Sequence, residues 1–217
     1  MAEDLILNLS VVIGVILISM TFHEAMHGFV AYWLGDDTAK LQGRLTLNPL
    51  KHIDPFLTIL LPVMLALVGA PIFGGAKPVP FNPDRVRYEE WGAALVAIAG
   101  PLTNFLIAFV IFGIGTVLGY NLSDFATIDL VELILTYGVI INLGFFVFNM
   151  IPLPPLDGSR VLYALAPEFV RRGMEYIEQY GLIFVFIFVL LASSVIGSFM
   201  GQAVQFFVEV FSKIFVL

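Results

Sequence analysis

Apolar residues along this chain come in long blocks separated by short polar connections, rather than alternating or marking one face of a soluble helix. Leu5 to Leu34 is the first block, interrupted only where His23, Glu24 and His27 fall. Phe56 to Phe73 is shorter and contains Pro62, Gly69 and Pro71. Trp91 to Gly119 is the third, with Gly100-Pro101 near its first turns, and Leu130 to Ile151 is the fourth, ending in a proline-rich turn. Gly181 to Gly197 and Phe199 to Leu217 complete the series. A hydrocarbon core of roughly 30 Å takes about 20 helical residues to cross. The blocks therefore predict an all-α polytopic membrane protein, a bundle of about five to six transmembrane helices.

The connections add two features. Residues 41–48 alternate and then stop at Asn48-Pro49, while 76–83 carries Pro78, Pro80 and Pro83 and cannot be helix. Both read as a small extended or β-like membrane-associated element. Basic residues orient the rest. Lys40, Arg44 and Lys51 follow the first block, Lys77, Arg85 and Arg87 precede the third, and Arg160, Arg171 and Arg172 follow the fourth. All three connections are expected on the cytoplasmic side, and 120–132, acidic and without a basic residue, on the other. The block 56–73 then has basic residues at both ends, which a re-entrant hairpin satisfies better than a single crossing. Glu168, Arg171, Arg172, Glu175 and Glu178 mark an amphipathic surface helix.

Composition narrows the class. Of 217 residues 59% are hydrophobic and 12% charged, and the mean hydropathy is +0.98, far beyond an ordinary soluble domain. No connection is long enough to fold a separate water-soluble unit, so residues 1–217 read as one integral-membrane domain. With no cysteine, a disulfide framework, thiolate metal ligands and a cysteine nucleophile are excluded. A net charge of −7 offers no footprint for nucleic acid. The partners expected are the lipid bilayer and membrane-embedded proteins; nothing in the pattern fixes an oligomeric state. The N-terminus lacks the basic start of a signal peptide, so the first block is expected to be retained.

The candidate chemistry lies in the first block. His23 and His27 are four residues apart, on one helix face, so both imidazoles can reach one metal with Glu24 beside them. Ionisable groups at membrane depth are costly and need a partner. A hydrolytic zinc site takes three protein ligands and keeps a position for water. The remaining histidine, His52, sits in a proline-flanked connection without ligand spacing and reads as an interfacial polar residue. Asp157 is the stronger candidate, because the prolines at 152, 154 and 155 break the helix and Gly158 allows a turn back into the bundle. An Asp before Gly is also an ordinary turn residue, and Asn149 can cap a broken helix end.

HExxH in one membrane segment, Gly100-Pro101-Leu102-Thr103-Asn104 in a second and Asn149-x-x-Pro152-x-x-x-Leu156-Asp157-Gly158 after a third resemble the site-2 proteases, intramembrane zinc metalloproteases. The resemblance covers Ser19 to about Ala166. It implies one zinc ion per chain held by His23, His27 and Asp157, Glu24 as the catalytic acid/base, and Asn149 near the scissile carbonyl. It implies a catalytic core of about residues 5–166, with 181–217 adding C-terminal helices. The expected form is short, with no PDZ or CBS domain and no span before the first core helix. The expected activity is hydrolysis of peptide bonds within or near transmembrane segments of other proteins. The setting would be a prokaryotic cell (inner) membrane, with the site reached from the cytoplasm. Asn142 reads as an interhelical hydrogen-bonding group, and Gly100, Pro101 and Asn104 as packing and kink residues. The alternative function is a membrane metal-ion transporter or metal-binding sensor, since His and Asp at mid-membrane also mark ion paths.

Overall fold

The computed structural model of the protein describes residues 2–60, 64, 75–122 and 129–215. Among these, the chain is helical with no strand. Helix α1 spans Ala2–Trp33 and is followed by a single turn, α2, at Thr38–Leu41. Long helices then run over Glu89–Val117 (α3) and Leu130–Asn149 (α4), with a short α5 at Gly158–Leu165. Helices α6 (Glu168–Leu191) and α7 (Ser193–Phe215) close the chain. Helices α1, α3, α4 and α7 are each long and apolar enough to cross a membrane. Helix α6 bends by 94° between Glu168–Gly181 and Ile183–Leu191, giving a fifth candidate span if the bent pair counts as one. Its first half is the polar surface helix expected from Glu168 to Glu178.

The boundaries have local causes. α1 contains no proline and ends at Gly35, whose φ of +110° suits glycine; the Asp36 N–H then reaches back to the Ala31 carbonyl at 2.9 Å. Asp129 caps α4 by accepting from the Glu132 N–H at 2.8 Å. The break between the last two helices falls at Ala192, ahead of Ser193-Ser194, and not at Gly197 as the apolar blocks suggested. Gly197 lies within α7 with open space around it.

Helices α1, α3 and α4 pack on one another, and α7 joins them through Val208 and Phe211. These two residues share a core with Ala108, Phe112, Val139 and Leu143, lined by a ladder of phenylalanine rings from Phe105 to Phe215. The C-terminal helix thus belongs to the same packed core as the helices bearing the motifs. The Arg87 N–H donates to the Leu34 carbonyl at 2.9 Å, tying the end of α1 to the start of α3.

Of the extended or β-like element expected, the described residues form no strand, and the strap 75–82 matches the extended alternative. Residues 41–48 form turns, with Gly43 at positive φ and Asn48 capping a 3₁₀ turn over Pro49–Lys51. Residues 75–82 have no regular structure, because prolines cannot complete a ladder; they lie along α1 as a single strap. The expected re-entrant hairpin of 56–73 lies outside the described residues except for a π-helical turn at Pro55–Leu60 and for Met64. Asp36, fully buried, holds the strap's far end by accepting from the Asn82 N–H at 2.6 Å. Burial opposes its charge, yet hydrogen bonds from the Thr38 hydroxyl and from the Asn82 and Thr38 amides, with Arg85 nearby, hold its carboxyl below the usual carboxylate range.

Candidate metal centre

His23 and His27 lie on α1 and are buried, with rings in edge-to-face contact at 4.7 Å between centroids. Asp157 arrives from the proline-rich turn after α4. Its Oδ2 stands 3.1 Å from His23 Nε2 and 3.4 Å from His27 Nε2. Two contacts set this turn. Leu156 is buried against Val185 and Val189 of α6, and a Cβ at Gly158 would overlap the Met150 carbonyl, so only glycine fits the close backbone approach. Gly100 does the same service on α3: any Cβ there would overlap the His27 ring and come within 2.8 Å of His23 Cε1. The close-packing role read from Gly100-Pro101 thus has a definite object, the imidazole pair.

Hydrogen bonds fix which ring nitrogens face Asp157. Asn142 Nδ2 donates to the Gly138 carbonyl at 2.8 Å and to Ser19 Oγ at 2.9 Å, which leaves Asn142 Oδ1 as an acceptor. Asn104 Nδ2 donates to that oxygen at 2.8 Å. Asn104 Oδ1 must therefore accept, and it faces His23 Nδ1 at 2.5 Å, so His23 carries its proton on Nδ1. His27 Nδ1 faces the Val96 carbonyl at 2.7 Å and must also donate. In the neutral rings both Nε2 lone pairs then point at a carboxylate. Asp157 Oδ2 is itself buried without a hydrogen-bond donor among the described residues.

Three acceptors converging in a buried place call for a cation. The three ligand atoms lie within 4.8 Å of one another. Donors about 2.0–2.2 Å from a tetrahedral zinc stand roughly 3.3 Å apart, close to the observed 3.1 and 3.4 Å. Nδ1–H bonds to a carbonyl or amide oxygen are the usual outer support of such imidazoles. The donor set fits zinc.

Glu24, between the histidines, accepts from the Val79 N–H at 2.7 Å through Oε2. Asn149, at the last position of α4, donates one amide hydrogen to the Phe145 carbonyl at 3.0 Å, and the other meets no acceptor among the described residues. His52 is 3% exposed, with Nε2 2.9 Å from the Thr46 carbonyl, and its own carbonyl accepts from the Lys77 N–H at 2.8 Å. It braces the connection and is no part of the cluster. Asn142 is the interhelical group expected. Asn104 is more than a packing residue, for it orients His23, and its place four residues after Gly100 is the signal that could have shown it. Asn104→Ala is expected to weaken zinc binding by about 10–100-fold while leaving the fold intact; competition titration against a zinc chelator measures this, and an unchanged affinity would deny Asn104 that role.

Comparison with known proteins points to zinc chemistry independently. Residues 11–127 and 115–193 match the model of Peptidase family M50. The chain is 40% identical over 204 residues to "Putative zinc metalloprotease YwhC" of Bacillus subtilis, covering 92% of this chain and 90% of that one. It is 31% identical over 200 residues to "Putative zinc metalloprotease Rip2" of Mycolicibacterium smegmatis, covering 89% of this chain and 71% of the relative. "Putative zinc metalloprotease MJ0611" of Methanocaldococcus jannaschii is 33% identical over 144 residues, 65% of this chain and 63% of its own length. No solved structure matches.

Proposed function

The chain belongs to peptidase family M50, an integral membrane zinc metalloprotease acting on membrane-embedded substrates, and from that premise we propose that His23, His27 and Asp157 hold the zinc and that Glu24 is its acid/base. The observation carrying this reading is the convergence of two Nε2 lone pairs and an orphaned carboxylate oxygen beside Glu24. Bound there, zinc would supply an activated water, with a pKa lowered from 15.7 to about 7, and would polarise a peptide carbonyl.

The chain's own residues carry the rest. Glu24 takes a proton from the attacking water on its carboxylate and hands it to the departing amine. Asn149, with one amide hydrogen still available, donates to the carbonyl oxygen as negative charge grows on it. The Asn104 and Val96 oxygens keep both imidazoles from turning. His23 lies roughly 18 Å along the helix from Gly35 at 1.5 Å per residue, so the reaction takes place below the membrane surface.

Nine of the ten basic residues, all but Lys213, lie in the connections after α1 and before α3 or within α5 and the first turns of α6. That bias supports a cytoplasmic approach, in a prokaryotic cell membrane, to a domain whose catalytic part is residues 5–166. Substrates are single transmembrane segments that unwind to expose a carbonyl. A transporter would leave Glu24 without a task and would need successive polar stations. The described residues hold one metal-ligating group.

Cells carrying the wild type and cells carrying Glu24→Gln should differ in membrane-protein fragments, with single-span proteins cut in the first alone. Purified wild type in lipid should cleave such a protein, stop when a chelator strips its metal, and recover with zinc. Zinc moving across sealed vesicles with no protein cut would favour transport instead.

A further inference from the structure

We propose that the backbone N–H of Val79 is a positioning group for Glu24, delivered by the strap 75–82 and locked there by Arg44. The inference rests on the reading of Glu24 as the acid/base. A carboxylate on a helix in a partly buried site has several rotamers, and a bond to one oxygen removes most of them. Glu24 Oε2 is held by Val79 N–H at 2.7 Å across 55 residues of sequence.

The strap is built to offer that donor. In Pro78-Val79-Pro80 both flanking residues lack an N–H, so Val79 carries the tripeptide's sole backbone donor. Each proline also drives the residue before it, Lys77 and Val79, towards extended backbone. The strap is then fastened on both sides of Val79. The Lys77 N–H donates to the His52 carbonyl at 2.8 Å. Arg44, 92% buried by its 8% exposure, donates from Nη2 to the Lys77 and Pro78 carbonyls at 2.7 and 3.3 Å. Beyond Val79, the Asn82 N–H is held by Asp36. The Val79 side chain, 6% exposed, rests against α1 where Gly28 leaves room, with Cγ1 3.0 Å from the place of a Gly28 Cβ. A buried arginine spent on two carbonyls makes physical sense if the register of the next amide matters. With Oε2 engaged, the other carboxylate oxygen is left to exchange the proton.

The test compares Val79→Pro, which deletes the donor in a segment already proline-like, with Val79→Ala, which keeps it and trims the packing. Each is measured in lipid on a single-span reporter that the wild type cleaves, with zinc content read separately. Val79→Pro should lose about 10–100-fold in kcat, the scale of a misplaced reacting group, with KM and zinc at wild-type values; Val79→Ala, which keeps the donor, should lose several-fold less than Val79→Pro. Equal kcat in the two variants would overturn the proposal. Should Val79→Pro fail to accumulate in the membrane, the Arg44 pair decides: Arg44→Ala should lower kcat with zinc retained and Arg44→Lys should restore part of it, whereas full kcat in Arg44→Ala overturns the idea. Glu24→Gln separates the two claims. If it cleaves normally, the acid/base reading fails; if it is inactive while Val79→Pro matches Val79→Ala, the positioning role alone fails.

Discussion

Glu24→Gln is expected to abolish cleavage, by at least the 10²–10⁴-fold or so that a positioned acid/base contributes, while the protein keeps its full zinc. The substitution is unusually clean here. Glutamine preserves the length of the side chain, and its amide oxygen can still accept from Val79 N–H, the bond glutamate makes at 2.7 Å. What it cannot do is take a proton at neutral pH. In the proposed site zinc would be held by other atoms, since Glu24 is absent from the converging group of His23, His27 and Asp157. The measurement is cleavage rate beside metal content by elemental analysis. Residual cleavage near the wild-type rate would remove Glu24 from the chemistry; lost zinc would move it into the ligand set.

Asp157→Ala is expected to empty the site. Two imidazoles alone leave the metal short of the three protein ligands a catalytic zinc takes. The loss should exceed the ~10–100-fold attached to an outer partner such as Asn104, taking zinc from about one per chain to near none after passage through a desalting column. Because the Leu156 side chain still anchors the turn against Val185 and Val189, the helices should remain packed. Circular dichroism in detergent tests that separately. Zinc stoichiometry unaffected by the change would mean that the third ligand lies elsewhere.

The two variants probe features that differ in how openly they are written. The four-residue spacing of His23 and His27, on an unbroken apolar run, fixes both side chains to one helix face whatever surrounds them. The prolines after Asn149 stop the helix, so Asp157 is released from it close to its end. The destination of Asp157 was a matter of chemical need, for two histidines lacked a third partner. The spans at α1, α3 and α4 were likewise legible, because twenty apolar residues have few other stable states. The break at Ala192 was not, because glycine at 197 is tolerated inside a helix and small polar residues at 193 and 194 stop one just as well. The strand-like reading of 41–48 failed for a related reason: alternation over so few residues is outweighed by a positive-φ Gly43 and the Asn48 cap.

The sequence by itself determined the membrane setting, the helix face of α1 that His23 and His27 share and the break that frees Asp157, since each follows from interactions within a turn or two of chain. The tertiary structure alone decided which imidazole nitrogens are free and what holds Glu24. Those depend on Asn104 meeting His23 across 81 residues and Val79 meeting Glu24 across 55. The second contact is made by a backbone N–H, a group that nearly every residue possesses, so only folding can single one out.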